Sequence, residues 1–67
     1  MRHIYINGKI LFFSKKCSVT ELINFLKLDD SLVILEYNKM ILPKAFWNKT
    51  IIENKDQFEF VSIVGGG

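Results

Sequence analysis

The chain is poor in the residues that build covalent or metal-stabilised folds. It has a single cysteine, Cys17, so no disulfide forms within it, and no second cysteine or nearby histidine completes a zinc site. Nine basic and seven acidic residues leave a net charge of only +2, which does not by itself indicate nucleic-acid binding. We therefore expect no metal site and no nucleic-acid partner.

Long hydrophobic runs are also missing. No segment approaches the roughly 20 apolar residues of a transmembrane helix, and residues 1–7 lack the apolar stretch of a signal peptide. We therefore expect no membrane partner and a soluble chain in the cytoplasm, or in the plastid stroma if an organelle encodes it. Frequent Ile, Lys, Asn and Phe, which AT-rich codons specify, are compatible with either source.

The chain is nevertheless rich in apolar residues. Of its 67 residues, 49% are hydrophobic, which is too many for a disordered chain. A chain of this length forms one domain with a thin core. The sequence predicts a single domain over residues 1–64 and a flexible C-terminal tail over residues 65–67, because glycine has the largest conformational freedom.

The first third of the sequence predicts a hairpin followed by a helix. Ile4 and Ile6 alternate with polar or aromatic neighbours, Asn7-Gly8 is typical of a two-residue turn, and residues 9–13 return as a strand. Ser18 and Glu21 then match a capping box, which predicts a helix over residues 19–27. The apolar residues at helical spacing are Val19, Leu22, Ile23 and Leu26.

The remaining sequence predicts three more strands. They are expected over residues 32–37, 40–42 and 57–64, with a turn at Asn38-Lys39 and Pro43 at the first position of a short helical turn. The order β-β-α-β-β-β indicates an α+β fold, with one main helix packed across one face of a mixed four- to five-stranded sheet. If the terminal strands pair in parallel at the centre, the fold is a ubiquitin-like β-grasp.

The chain ends in Gly65, Gly66 and Gly67, directly after a strand. A tail without side chains can enter a narrow channel in a partner, and it presents an unhindered carboxylate at Gly67. A carboxylate is a poor electrophile, but ATP can activate it as an acyl-adenylate, and a sulfur nucleophile can then produce a thiocarboxylate. On composition alone, a frayed terminus is an equal interpretation.

Four segments make the chain resemble a known family over essentially its whole length. They are the short first strand that ends in Asn7, the helix start at residues 19–22, residues 36–43 with the pattern N-x-x-(I/V)-(V/L)-P followed by Trp47, and the ending at residues 56–67. The chain resembles the ThiS family, whose members are sulfur carriers of thiazole formation in thiamine biosynthesis. The family's terminal glycine pair corresponds to Gly66 and Gly67. The apolar residues 11–13 depart from the family, which is often more polar there.

The resemblance implies a carrier protein and not an enzyme. A ubiquitin-activating-type adenylating enzyme, ThiF-like, would form the acyl-adenylate at Gly67, and a cysteine desulfurase route would supply the sulfur. A thiazole synthase, ThiG-like, would then accept it. The resemblance implies no permanently bound cofactor, because ATP and magnesium belong to the adenylating enzyme.

A contact patch for partners is predicted beside the tail. By strand alternation, Val61 and Ile63 point away from the face that carries Phe58 and Phe60. Together with Glu59, they are predicted to form the surface that partners bind. The alternative is that they are isolated apolar residues, which are common on protein surfaces.

Other residues with reactive side chains have structural interpretations. Cys17 is predicted to be a small buried apolar residue, Trp47 a partly buried core residue, and Asp29-Asp30 part of a turn.

Two other functions remain open from the sequence. One is a sulfur carrier for molybdopterin synthesis or for tRNA or protein modification; such carriers tend to be longer, so 67 residues favour thiamine. The other is a β-grasp interaction module that binds a protein or RNA non-covalently, for which the tail is dispensable.

Overall fold

The computed structural model describes residues 1–63 and shows a sheet with one α-helix across it. The sheet has five strands in the order β2-β1-β5-β3-β4. The elements are β1 (Arg2–Ile6), β2 (Lys9–Phe13), α1 (Val19–Phe25), β3 (Val33–Tyr37), β4 (Met40–Ile41), a 3-10 turn (Lys44–Phe46) and β5 (Gln57–Ser62). The element order and the mixed sheet confirm the predicted α+β class. The domain boundary at residue 64 and the tail at 65–67 lie outside the described residues and stay predictions.

The two terminal strands pair in parallel at the centre of the sheet, as the β-grasp requires. Tyr5 lies opposite Gln57, and Ile6 lies opposite Phe58. The Tyr5 amide donates to the Asp56 carbonyl, at 2.9 Å between nitrogen and oxygen. All other strand pairs are antiparallel. The beginning of the chain therefore holds the strand that leads to its end.

Both predicted hairpin turns are confirmed by their backbone angles. The values of φ are 49° at Asn7 and 82° at Gly8, and they are 51° at Asn38 and 72° at Lys39. Two consecutive positive φ values match the right-handed twist of the flanking strands in a two-residue hairpin. Lys39 adopts this conformation although it is uncommon for residues other than Gly, Asn and Asp.

The helix begins as predicted and ends earlier. The Ser18 side chain accepts from the Glu21 amide at 3.1 Å, and the Glu21 carboxylate accepts from the Ser18 amide at 2.9 Å, which confirms the capping box. The predicted end at residue 27 is wrong, because α1 ends at Phe25. Lys27 has a φ of 58°, and its amide donates to Asn24 while that of Leu28 donates to Ile23. This is a Schellman end formed without the usual glycine.

The core lies between α1 and one face of the sheet. Trp47 belongs to it, and its indole Nε1–H donates to the Leu42 carbonyl at 2.9 Å, which confirms the predicted core position. The fully buried apolar residues are Ile4, Val19, Leu22, Ile23, Leu35, Trp47, Ile52 and Phe58. The other face of the sheet carries no helix among the described residues.

Three predicted boundaries are corrected by one residue each. The third strand begins at Val33 and not at residue 32, and the fourth ends at Ile41 and not at residue 42. Pro43 caps the 3-10 turn and does not occupy its first position, since its ψ of 146° is extended. The last strand ends at Ser62, and its predicted final residue, Val64, lies outside the described residues.

The side chain of Asn7 continues the pairing of β1 with β5 after β1 has ended. Its Oδ1 accepts from the Phe60 amide at 2.7 Å, and its Nδ2 donates to the Phe60 carbonyl at 3.3 Å. The backbone turns away at Gly8, so the side-chain amide takes the place of the next peptide group of β1. Asn7 therefore supports β5 close to its C-terminal end.

A buried carboxylate supports the other end of β5. Asp56 accepts hydrogen bonds from the Tyr37 hydroxyl at 2.8 Å, the Glu53 amide at 2.8 Å and the Asn38 Nδ2 at 3.2 Å. Burial, and next the hydrogen bond to Asp56, raise the pKa of Tyr37 to about 12. Asn38 also accepts from the Gln57 amide at 2.8 Å through Oδ1. These bonds join the start of β5 to the β3–β4 hairpin.

We predict that Asn7→Gly weakens the C-terminal end of β5 while leaving the turn intact. Glycine adopts positive φ readily, so the substitution removes only the two side-chain hydrogen bonds. The free energy of unfolding should fall by about 1–2 kcal/mol, and the Phe60 amide should exchange its hydrogen faster. Gly8→Asn alters the same turn without touching Phe60 and should leave that exchange unchanged; unchanged exchange in Asn7→Gly would contradict the role of Asn7.

We predict that the Tyr37–Asp56 hydrogen bond makes stability depend on pH above about pH 10. The pKa of Tyr37 is about 12 in the folded chain, against an ordinary value of 10.0. The neutral hydroxyl therefore stabilises the fold fully below about pH 10, and this contribution is lost as the pH rises toward 12. Chemical denaturation at several pH values should show a larger loss for the wild type than for Tyr37→Phe. Tyr5→Phe, which removes a hydroxyl outside this network, should lose as much as the wild type.

Candidate functional site

The residues predicted to contact partners lie on the exposed face of the sheet, next to the end of β5. Strand alternation buries Phe58 and exposes Val61, whose side chain is 52% accessible, and Glu59 is also exposed. Ile63 follows the strand, is 46% accessible, and donates its amide to the Leu32 carbonyl at 2.6 Å. These positions are those that the alternation predicted, and a role in partner contact stays a prediction.

Two further apolar residues join this surface and were missed from the sequence. Ile34 lies directly opposite Val61 across the β3–β5 pair, and it is 40% accessible. Ile41 lies on β4 opposite Glu36, which alternation places on the same face as Ile34, and it is 68% accessible. The register of β3 against β5 was the missing signal, because it decides which residues meet on one face. We call Ile34, Ile41, Val61 and Ile63 the tail-side patch.

Two glutamates lie side by side at the border of the tail-side patch. Glu36 and Glu59 are direct partners in the antiparallel β3–β5 pair. Like charges in such a position destabilise a sheet by a few tenths of a kcal/mol to about 1 kcal/mol. Folding therefore gains nothing from this pair, whereas a cationic group of another protein would be attracted to it. Glu36 was also missed from the sequence, for the same reason of register.

The predicted reacting group lies beyond the last described residue, Ile63. Gly65, Gly66 and Gly67 lie outside the described residues, as does Val64, so the chemistry assigned to them stays a prediction. The last described residue, Ile63, is part of the tail-side patch. The four residues that follow it therefore start from this surface, and they span at most about 13 Å when extended.

Cys17 and Asp29 are two further residues whose side chains the sequence singled out. Cys17 is half-buried and not fully buried as predicted, and burial, followed by the charge of Glu21, raises the pKa of its thiol. Asp29 accepts hydrogen bonds from the Ser31 hydroxyl at 2.7 Å and from the Ser31 amide at 3.0 Å. These bonds lower the pKa of Asp29 and confirm the predicted turn.

Over residues 1–63, no group of three or more His, Cys, Asp or Glu side chains is placed to hold a metal ion. In the same range, no helix is long and apolar enough to cross a membrane.

Comparison with known proteins points to one family. Residues 4–67 match the model of the ThiS family. The protein ycf40 of Trieres chinensis is 40% identical over 63 residues, which cover 94% of this chain and 86% of that protein. The sulfur carrier protein ThiS of Bacillus subtilis (strain 168) is 31% identical over 65 residues, covering 96% and 98%. A thiazole synthase of Paramagnetospirillum magneticum is 33% identical over 64 residues, which are 96% of this chain and 20% of that protein.

The fold agrees with the sequence comparison. The crystal structure of the thiamine biosynthesis protein ThiS from Geobacter metallireducens superposes with a TM-score of 0.84 at 29% identity. The match covers 97% of this chain and 99% of that one, so it includes the whole sheet and the helix. The predicted resemblance is confirmed, and the five-stranded sheet with its parallel central pair is a ubiquitin-like β-grasp. By sequence and by fold, the chain belongs to the ThiS family.

Proposed function

We propose that the chain is a sulfur carrier of thiamine biosynthesis whose reacting group is the carboxylate of Gly67. The observation that carries the proposal is a family match that runs through to the last residue, together with 31% identity to a sulfur carrier protein along nearly its whole length. The described residues hold no cluster of His, Cys, Asp or Glu that could bind a metal ion, which fits a protein whose chemistry is supplied by its partners. It is a co-substrate in this proposal, and not an enzyme.

The chemistry takes place in two steps at one carboxyl group. A Gly67 carboxylate oxygen attacks the α-phosphate of ATP, forming the acyl-adenylate and releasing pyrophosphate. Hydrosulfide then attacks the carbonyl carbon; AMP leaves and the terminal thiocarboxylate remains. Where a cysteine desulfurase route supplies the sulfur as a persulfide, loss of AMP gives an acyl disulfide, and a second thiol reduces this disulfide, releasing the thiocarboxylate and forming a disulfide with the persulfide-bearing cysteine. ATP and its magnesium ion are held by a ThiF-like adenylating enzyme, so the carrier itself needs to supply only a recognisable body and an accessible end.

The tail-side patch is the surface proposed for recognition. Val61 and Ile63 lie where the tail begins, so a partner that receives the tail also meets these side chains. The adjacent Glu36 and Glu59 carboxylates favour a partner with an arginine or lysine at this place. Aliphatic contacts and one cationic group are therefore the features expected of the adenylating enzyme at this contact.

A thiazole synthase is the proposed sulfur acceptor. A segment similar to this chain makes up a fifth of a thiazole synthase in Paramagnetospirillum magneticum. A carrier-like segment within that polypeptide supports a functional association between a carrier of this type and thiazole synthase. The relative named ycf40, a name used for plastid-encoded genes, favours the plastid stroma over the cytoplasm as the place of this reaction.

We predict that the intact chain acquires one sulfur atom in place of one oxygen at Gly67. The chain is incubated with the adenylating enzyme of the same genome, ATP, magnesium and hydrosulfide, and its mass is measured before and after fragmentation. The sulfur should appear only in fragments that contain Gly67. A chain with one alanine appended after Gly67 is the matched control, since its carboxylate is displaced by one residue.

Three outcomes separate the proposal from its alternatives. Absence of both adenylate and thiocarboxylate, with function retained after deletion of Gly66 and Gly67, would support a non-covalent interaction module instead. A thiocarboxylate that thiazole synthase does not accept, but molybdopterin synthesis or a tRNA- or protein-modifying system does, would assign the carrier to another pathway. Thiazole formation from the thiocarboxylate completes the proposed function.

We predict that Glu59→Lys weakens recognition by the adenylating enzyme without weakening the fold. The new lysine lies opposite Glu36, so the like-charge pair becomes an attractive one and stability is kept or slightly raised. The KM for the carrier should rise about tenfold while kcat is unchanged. Glu53→Lys, with the same change in net charge at the opposite end of β5, should leave KM unchanged. Equal effects of the two variants would contradict a specific role for Glu59.

A further inference from the structure

The charges of the chain are divided unevenly between the two ends of its sequence. Residues 1–20 contain no acidic residue, and all seven acidic residues follow. The basic residues of this segment lie on the β1–β2 hairpin and in the loop after it; they are Arg2, Lys9, Lys15 and Lys16. The hairpin is therefore a positively charged end of a molecule whose net charge is only +2.

The outer strand of this hairpin has an open edge. β2 is the first strand of the sheet, and it pairs only with β1 among the described residues. In β1, the backbone amides of Tyr5 and Asn7 donate hydrogen bonds on the β5 side, so the peptide groups of the residues between them, such as Ile4, bond to β2. Leu11 is the partner of Ile4, so its peptide groups face β1. The peptide groups of its neighbours Ile10 and Phe12 therefore face outward. They offer a second strand two N–H donors and two carbonyl acceptors.

An apolar groove runs beside this edge, between β2 and α1. Its volume is about 320 Å³, and its lining includes Leu11, Phe12, Phe13, Cys17, Leu22 and Phe25. Phe25 is 70% accessible in the groove, although its ring is among the largest apolar groups of the chain. The ring of Phe12, 61% accessible, lies opposite His3 on the other face of the same edge. Lys15 also lines the groove, and no carboxylate does so within the part of the chain that the structure describes.

We propose that this groove and the β2 edge bind an extended, acidic segment of a partner protein, which adds to the sheet as a sixth strand. In strand addition, main-chain hydrogen bonds give affinity, and alternate side chains give specificity. Here the outward peptide groups of Ile10 and Phe12 supply the hydrogen bonds. The aromatic groove takes aliphatic side chains of the partner, and its Asp or Glu residues lie near Lys9 at one end and Lys15 and Lys16 at the other.

Charge complementarity decides in favour of a partner protein over a second copy of this chain. Two copies joined edge to edge through β2 would place two basic hairpins together, and like charges disfavour such a contact. An acidic segment meets attraction at both ends of the strand. The residues 11–13 that depart from the polar pattern of the family are, on this basis, the apolar floor and rim of a binding groove.

The groove lies away from the tail-side patch. β1 and β5 run in parallel, and β5 passes Asn7 on its way to the patch. β2 runs in the opposite direction, so Phe13 and the groove beyond it lie at the other end of the sheet. A partner in the groove therefore leaves the tail-side patch free. The binding site goes beyond the proposed sulfur transfer and does not depend on it.

The test uses the full chain and two synthetic peptides. One has four alternating valines and isoleucines with two aspartates at each end, and the other has lysines in place of the aspartates. Binding is measured by titration calorimetry and by amide chemical shifts. The wild type should bind the aspartate peptide at least tenfold more tightly, with shifts at Ile10, Phe12 and Phe25 and slower hydrogen exchange at the Ile10 and Phe12 amides.

Charge reversal supplies the decisive comparison. The double variant Lys15→Glu/Lys16→Glu should reverse the preference and bind the lysine peptide more tightly. Lys39→Glu/Lys49→Glu, with the same change in net charge away from the groove, should keep the preference of the wild type. No saturable binding, binding indifferent to charge, or shifts confined to Val61 and Ile63 would overturn the proposal. Concentration-dependent dimerisation through β2 in the absence of peptide would overturn it in favour of a second copy.

Discussion

The parallel pairing of β1 with β5 is the contact on which the rest of the structure depends. It joins residues about fifty positions apart, so its closure has a large entropic cost that local turns do not have. Within residues 1–63, two residue pairs make it directly, Tyr5 with Gln57 and Ile6 with Phe58. Side chains extend it at both ends: Asn7 binds the backbone of Phe60, and buried Asp56 ties the beginning of β5 to β3 and β4. The strand that carries the tail is thus held on both sides and near both ends.

The polar side chains that hold β5 explain how one face of the sheet can remain uncovered. Among the described residues, a single α-helix of seven residues covers the other face, and no second layer covers this one. Because Asn7, Asn38 and Asp56 hold the central strands through hydrogen bonds, the fold does not need to bury Ile34, Ile41 or Val61. These side chains stay available to partners. In this small domain, the means of stabilisation and the exposure of the proposed contact surface are therefore linked.

Local signals in the sequence predicted local structure, but contacts between residues distant in the chain could not be predicted from it. Asn7-Gly8 and the Ser18–Glu21 capping box act within four residues, so the hairpin and the helix start were predicted correctly. The helix end was wrong because Lys27 adopts a left-handed conformation that its residue type does not signal. Ile34, Glu36 and Ile41 were missed because only the register of the sheet shows which neighbours they have. Alternation alone placed Val61 and Glu59, since it needs one strand and no partner.

The two surfaces also differ in charge. The tail-side patch is bordered by Glu36 and Glu59, whereas the β2 groove is lined by Lys15. Neither arrangement helps folding, because the glutamates repel each other across a strand pair and Lys15 lies beside the exposed ring of Phe25. A carrier of the proposed kind is distinguished by its partners through its surface. The two proposed surfaces differ in charge and lie on opposite faces of the sheet, so two partners would bind without competing for one site. The cost in stability is small because both sets of charged groups are exposed to water.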